Sequence, residues 1–192
     1  MDARLKQQKE YPRAMRPYVL TLYEMVREVK PERVLEIGVQ NGQSTKTILM
    51  ALGMNKNGRL VSIDHKRRHG VLDQDYSDLK QYWTFILGSS HLPETLQAAR
   101  HAIKDDQQYD MLFIDGDHKM PGIQQDWDNY EPLVKPGGLI LMHDIYNKNE
   151  DVSQVWEKIK YKKLGFNWGW VRTTVLPGFG IVKKPPYENL QR

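Results

Sequence analysis

The chain has 192 residues and no cysteine. That excludes disulfides and thiolate metal sites and says little else about compartment. No apolar run approaches the roughly 18 residues needed to cross a bilayer. The N-terminal MDARLKQQKE has no apolar signal region, so a cytoplasmic protein with no membrane partner is expected. No repeat, low-complexity tract or linker divides the sequence, which predicts one domain over residues 1–192. Charge of one sign is also scarce: 28 Lys and Arg face 24 Asp and Glu, a net charge of +4. The cations are scattered, with short clusters at Lys66-Arg67-Arg68, Lys162-Lys163 and Lys183-Lys184. Such a surface attracts anions, but without a recognisable binding motif nucleic acid is not the expected partner. What is present is 40% hydrophobic residues, enough for one core, under a surface whose polarity shows in a mean hydropathy of -0.67.

Residues 1–12 read as a charged flexible arm and 13–30 as an N-terminal helix. From Arg16 onward Val19, Leu22, Val26 and Val29 share one face, and Pro31 ends the helix. Short apolar strands follow at 33–37, 59–63, 83–87, 109–114 and 139–142. Helices are expected near 43–53, 92–104, 121–133 and 151–163, with a polar stretch at 65–80 holding a loop and a short helix. The runs 166–175 and 179–183, separated by Pro177-Gly178, read as an antiparallel hairpin. Strands alternating with helices predict an α/β, Rossmann-like, doubly wound fold. Its sheet is mostly parallel and seven-stranded, with helices on both faces and a C-terminal antiparallel hairpin.

The segment ERVLEIGVQNGQS, residues 32–44, is the most informative. A strand runs into Gly38 and Gly42 and opens a helix, which is how an α/β protein brings bare backbone amides up to a ligand. The spacing is E-x-G-x-x-x-G rather than the dinucleotide G-x-G-x-x-G, and no P-loop lysine follows. Ligands of open parallel sheets bind at the carboxyl ends of the strands, and four of the five strands here end in ionisable or polar residues. Glu36 could attract a cationic cofactor or fix the glycine loop. Asp64, 22 residues beyond Gly42, suits ribose hydroxyls, or it caps a turn. His65 borders the same place or caps the loop; the cluster His65–His69 is a solvated run or an anion-binding loop. Asp115 and Asp144 end strands that should be neighbours. They could converge on a hard cation such as Mg²⁺, or each could cap the following helix. His143 or His118 could add a nitrogen that favours Mn²⁺ or Fe²⁺. His118, three residues past Asp115, is placed to take a proton from a hydroxyl, or is a partly exposed helix-start residue. Trp168 and Trp170 point to one face of the hairpin, as core or as an aromatic wall; Trp83, Trp127 and Trp156 read as packing.

VLEIGVQNGQS and LVSIDHK resemble the first two motifs of class I S-adenosylmethionine-dependent methyltransferases. YDMLFIDGDHKMPGIQQDWDNYEPLVKPGGLILMHDI resembles the central block of the small O-methyltransferase branch (methyltransferase type 24) that includes the macrocin and cephalosporin-pathway enzymes. The matching segments run from about Val34 to Ile145. The resemblance implies that Glu36, Gly38, Gly42 and Ser44 shape the methionine and ribose site. It implies that Asp64 holds the ribose hydroxyls beside His65, and that Ser89, Ser90 and Asp115 border the cofactor. Ser89 stands where the family often has aspartate. Asp115 and Asp144 fall on metal-ligand positions, and His118 falls where sugar-modifying members carry a general base. The family often has a second carboxylate or amide beside the strand-five aspartate. Here the neighbours are His143 and Ile145, which makes His143 the candidate third ligand.

The expected activity is therefore metal-assisted O-methylation of a hydroxyl on a small molecule or sugar, with Asp115 and His118 catalytic. The Asp-Gly-Asp-His after strand four replaces the Asn/Asp-Pro-Pro-aromatic motif of adenine and glutamine N-methyltransferases. Rival readings are a nicotinamide-dependent oxidoreductase, a noncatalytic S-adenosylmethionine-binding module and a nucleic-acid methyltransferase. Little chain is left over for a substrate lid, so a homo-oligomer that supplies one is a further expectation.

Overall fold

A computed structural model describes residues 16–66, 71–72, 74–103, 107–167 and 178–186. The first helix, α1 (Arg16–Val29), lays its apolar stripe on the sheet and is capped by left-handed Lys30, whose N–H bonds the Val26 carbonyl at 3.1 Å. There follow β1 (Arg33–Ile37), α2 (Gln43–Asn55), β2 (Arg59–Asp64), a 3₁₀ segment (Gln74–Tyr82), β3 (Trp83–Leu87), α3 (Pro93–His101) and β4 (Tyr109–Ile114). Then come α4 (Gly122–Tyr130), a 3₁₀ turn (Glu131–Leu133), β5 (Val134–His143), α5 (Val152–Lys158), β6 (Lys162–Phe166) and β7 (Phe179–Lys183). The seven strands lie in the order β3-β2-β1-β4-β5-β7-β6. Strands β1 to β5 are parallel; β7 is antiparallel to both β5 and β6.

Every residue of β4 is buried, as expected for a central strand covered on both faces. The period of two sorts the apolar residues into two cores. Val34, Met111 and Leu141 face α1 and α2 with Leu22, Val26, Ile48 and Leu52. Leu35, Leu112 and Ile140 face the opposite helices with Ala99, Ile123, Tyr130, Val155 and Trp156.

Three elements depart from the sequence reading. Strand β5 begins at Val134, so Pro136-Gly137-Gly138 lies inside it, where the pairing with β4 shifts between Tyr109 and Met111. The helix near 121–133 stops at Tyr130, and Pro132 sits in the 3₁₀ turn that follows. The helix near 151–163 stops at Lys158, and residues 162–166 form β6. Lys163 Nζ turns back onto the carbonyls of Trp156 at 2.5 Å and Ile159 at 2.8 Å, serving the last turn of α5 from the next strand. The hairpin partner β7 is where it was expected. The charged arm, Arg67 to His69, and Trp168 and Trp170 lie outside the described residues.

Strand β1 is pinned from both ends. At its start the Asp110 carboxylate, from β4, accepts the N–H groups of Glu32 at 2.9 Å and Arg33 at 2.8 Å and pairs with Lys135 Nζ at 2.5 Å. Removing that carboxylate strands two backbone donors, so Asp110→Ala should cost roughly 1–3 kcal/mol in a urea unfolding titration. Lys135→Ala, which removes only a half-exposed cation, should cost less than about 1 kcal/mol.

Candidate active site

The order β2-β1-β4 places the switch in strand order between the parallel strands β1 and β4, where the tips of neighbouring strands open a crevice. A cavity of about 650 Å³ occupies it, lined from β1 by Gly38 and Gln40, from β2 by Asp64 and His65, from β3 by Ser89, Ser90 and His91, and from β4 by Asp115 to His118. Gly38 has φ 91°, and a Cβ there would lie 2.0 Å from the Asp115 carbonyl oxygen, so only glycine lets the β1 and β4 tips meet. Gly42, φ 77°, caps α2 and faces Val71 rather than the cavity.

Asp64 does two things at once. It lines the cavity, and its Oδ2 accepts the N–H groups of Val39 and Gln40, both at 3.0 Å, while Oδ1 accepts Lys66 N–H at 2.9 Å. The acid of β2 thus holds the glycine turn in shape. Glu36 takes the second of the two roles its position suggested: it fixes the loop. It is fully buried and accepts hydroxyls from Ser44 at 2.6 Å, Thr45 at 2.7 Å and Ser62 at 2.6 Å. Neither Glu36, Gly42 nor Ser44 lines the cavity. Burial raises the Glu36 carboxyl to about 7 against the three hydroxyl donors, which favour its ionised form.

Beyond the cavity's β4 rim, four titratable groups converge. His118 bridges two carboxylates: Nε2 lies 3.1 Å from Asp115 Oδ1 and Nδ1 lies 3.4 Å from Asp144 Oδ2. His143 Nδ1 meets the same pair, 3.1 Å from Asp144 Oδ2 and 3.4 Å from Asp115 Oδ1. Asp144 sits at φ 59° in a turn closed by Asn147 N–H to its carbonyl at 3.0 Å, and Asn147 Nδ2 donates to its Oδ1 at 3.3 Å. Burial opposes ionisation of Asp115, but His143 and His118 outweigh it and hold the carboxyl well below the usual range. His118 is raised, by its hydrogen bond to Asp115 against the pull of burial. Burial also opposes charge on His143, yet the two carboxylates lift it to about 10.

The two histidines differ in access. His118 lines the cavity and is 28% exposed; His143 is 7% exposed, and its Nε2 has no hydrogen-bond partner among the described residues. The His143 ring stands edge-on to Tyr18 of α1, centroids 5.2 Å apart. Ligand atoms of Asp115, His118 and Asp144 all lie within 4.8 Å of one another, a set of two carboxylates and an imidazole that suits a divalent cation. The pairing of Asp115 with Asp144 follows the expectation; the set grouped at this distance brings His118 rather than His143 to them.

One part of the site was not foreseen. Asp126 of α4, fully buried, accepts Ser90 Oγ at 2.5 Å and Asp117 N–H at 3.1 Å and stands 3.3 Å from His91 Nε2. Tyr130 Oη donates to the Ser90 carbonyl at 2.9 Å. Burial raises the Asp126 carboxyl above its ordinary value. An acid on the inward stripe Ile123-Asp126-Tyr130 of an amphipathic helix was the available signal.

Residues 35–145 match the family model described as "Methyltransferase domain", more than half of the chain. The chain belongs to this methyltransferase-domain family. Solved structures of the same fold include an O-methyltransferase from Bacillus cereus in complex with SAH, at 18% identity and TM-score 0.67, covering 96% of this chain and 92% of that one. Another is TomG from Streptomyces achromogenes, an O-methyltransferase involved in tomaymycin synthesis, in complex with SAM, at 16% identity and TM-score 0.65, covering 96% and 91%. A third is MycE of the mycinamycin biosynthetic pathway, in complex with Mg and SAH, at 16% identity and TM-score 0.61, covering 91% of this chain and 50% of that one. At these identities the likeness is one of fold, and it extends to the antiparallel C-terminal strands. No described helix of the methyltransferase is long and apolar enough to cross a membrane.

The buried Glu36 gives the methyltransferase a pH signature. Its folded value, about 7, lies above the ordinary 4.5. Between those values the folded state keeps a proton that the unfolded chain has released, so this group makes stability fall as pH rises through the window. Glu36→Gln should remove that slope, flattening the difference in unfolding free energy between pH 5 and pH 7.5 by about 3 kcal/mol at most. Urea midpoints at the two pH values measure it.

Proposed function

We propose that the protein is an S-adenosylmethionine-dependent O-methyltransferase acting on a hydroxyl of a small-molecule acceptor, assisted by a divalent ion. The observation that carries the reading is the Asp115–His118–Asp144 cluster at the rim of a cavity whose floor is the Gly38 turn and whose side is Asp64. The cavity has room for a nucleoside-sized donor. The Gly38 turn brings backbone close to it, and Asp64 offers a carboxylate held rigid by Val39 and Gln40. The TomG complex with SAM and the MycE complex with Mg and SAH support the choice of donor and ion.

The donor supplies an electrophilic methyl on a sulfonium sulfur. His118 is the imidazole an acceptor can reach, so it takes the hydroxyl proton. The oxygen then forms the new O–CH₃ bond while the S–CH₃ bond breaks and its electron pair stays on sulfur. Asp115 and Asp144 would hold the ion. A divalent ion supplies Lewis acidity that lowers the hydroxyl's pKa. Asp115 also orients His118 through the 3.1 Å contact to Nε2. The rigid strand tips contribute alignment of donor and acceptor, a large share of the rate in such transfers.

Calorimetry with SAH and with NAD tests the donor: SAH should bind and NAD should not, and Asp64→Ala should weaken SAH at least about tenfold. NAD binding in place of SAH would sink the reading. His118→Ala should lower kcat by about 10²–10⁴ while changing SAH affinity less than about threefold. EDTA treatment should abolish turnover and added Mg²⁺ or Mn²⁺ restore it; undiminished turnover in metal-free protein would remove the ion from the scheme.

A further inference from the structure

The clusters Lys162-Lys163 and Lys183-Lys184 divide in the folded chain. One lysine of each is committed to structure. Lys163 Nζ serves the carbonyls of Trp156 and Ile159. Lys184 is buried, and its Nζ bonds the Glu131 carbonyl at 3.0 Å and Oε1 at 2.9 Å. The other two, Lys162 and Lys183, are exposed and stand directly opposite each other on β6 and β7, so both side chains point to one face of the sheet. Like charges paired across strands cost stability, and neither lysine has an acid partner among the described residues.

Lys183 also lines a cavity of about 420 Å³ at the opposite end of the sheet from the strand tips. Its wall is built from the starts of β1, β4 and β5, the end of β7 and the end of α1. That volume falls in the range of small-molecule sites, roughly 300–1,000 Å³. Four cations face two acids there: Lys30, Arg33, Lys135 and Lys183 against Glu32 and Asp110. The acids are already engaged. Asp110 holds two backbone N–H groups and Lys135, and Glu32 lies 3.6 Å from Arg33. Arg33 also spends Nε on the Gln108 carbonyl at 2.8 Å and Nη1 on Gln107 Oε1 at 3.0 Å. Lys30 and Lys183 have no side-chain partner among the described residues, so theirs is the charge left over. Lys30 sits at φ 50°, a helix-end conformation that favours glycine. A lysine where glycine is preferred and a lysine set against another lysine are two local costs that meet in one cavity.

We infer that this cavity is a second ligand site, separate from the one at the strand tips, and that it takes a phosphate-bearing small molecule. A phosphate dianion compensates both unpaired ammonium groups at once, where a lone carboxylate would leave one uncompensated. The wall gathers its cations around one concave volume, which suits a compact anion; an extended nucleic-acid strand calls for a row of cations along its backbone. The inference goes beyond the proposed methyl transfer and does not depend on it.

The test is calorimetry on the full chain with inorganic pyrophosphate as the probe, at constant ionic strength. Pyrophosphate should bind, and the double variant Lys30→Gln/Lys183→Gln should lose at least about tenfold in affinity, with each single variant losing about threefold. A charge-matched control, Lys80→Gln/Lys148→Gln, removes two exposed lysines that do not line the cavity and should bind as wild type does. Without ligand, Lys183→Gln should melt no lower than wild type, because it relieves the contact with Lys162; a merely structural lysine would lower the melting temperature. No binding of pyrophosphate, an equal loss in the control, or undiminished binding by the double variant overturns the inference. A single-stranded oligonucleotide that binds more tightly than pyrophosphate, and loses that affinity in the same double variant, overturns the small-molecule assignment.

Discussion

The structure depends on how β1 is held. Three carboxylates from different parts of the chain clamp it along its length. Asp110 takes the N–H groups at its start, Glu36 gathers three hydroxyls at its centre, and Asp64 takes the N–H groups just past its end. Asp110 and Asp64 set carboxylates on backbone N–H groups that the parallel ladder leaves unpaired, and charge-assisted bonds of that kind are stronger than neutral ones. The Gly38 turn needs this support, because its backbone is pressed against the Asp115 carbonyl and has no side chain of its own to anchor it. The rigidity of the cavity is thus a property of β1 and its three acids more than of the cavity's lining.

The second organising feature is electrostatic. Two carboxylates and two imidazoles meet at the junction of β4 and β5, and each imidazole touches both acids. Burying Asp115 in isolation would push it toward neutrality; the pairing with His143 and His118 keeps it available as an anion. The same arrangement separates tasks by access, since His118 opens to the cavity and His143 is sealed under Tyr18.

Much of this was legible in the sequence, for reasons particular to each residue. The strand tips were found because β1 to β4 are short apolar runs with sharp polar ends. Asp115 and His118 were joined by a spacing of three that leaves them in reach of each other. Lys162 and Lys163 were read as the end of a helix because Ile159 continues the apolar stripe of Val152, Val155 and Trp156 past the true end at Lys158. Asp110 and Asp126 have partners 78 and 36 residues away, so their roles show only in the folded chain, although Asp126 marks itself as an acid on an inward helical stripe. Glu36 was correctly seen as a possible loop anchor, but Thr45 and Ser62 are recognisable as its donors only once β2 lies beside β1 in register, with Glu36 opposite Ser62.

The sheet order carries one more consequence. Strands β6 and β7 join the rest only through β5, and β7 runs against it. Changes in the glycine faces of that hairpin propagate to Tyr146 and Trp156 but do not touch the parallel register of β1 to β4. One half of the molecule is therefore held by its own mechanics, while the other can be altered at its edge without disturbing it. The closing hairpin works as an adjustable border fastened along one seam, and the strand tips that frame the cavity keep their places whatever is done to it.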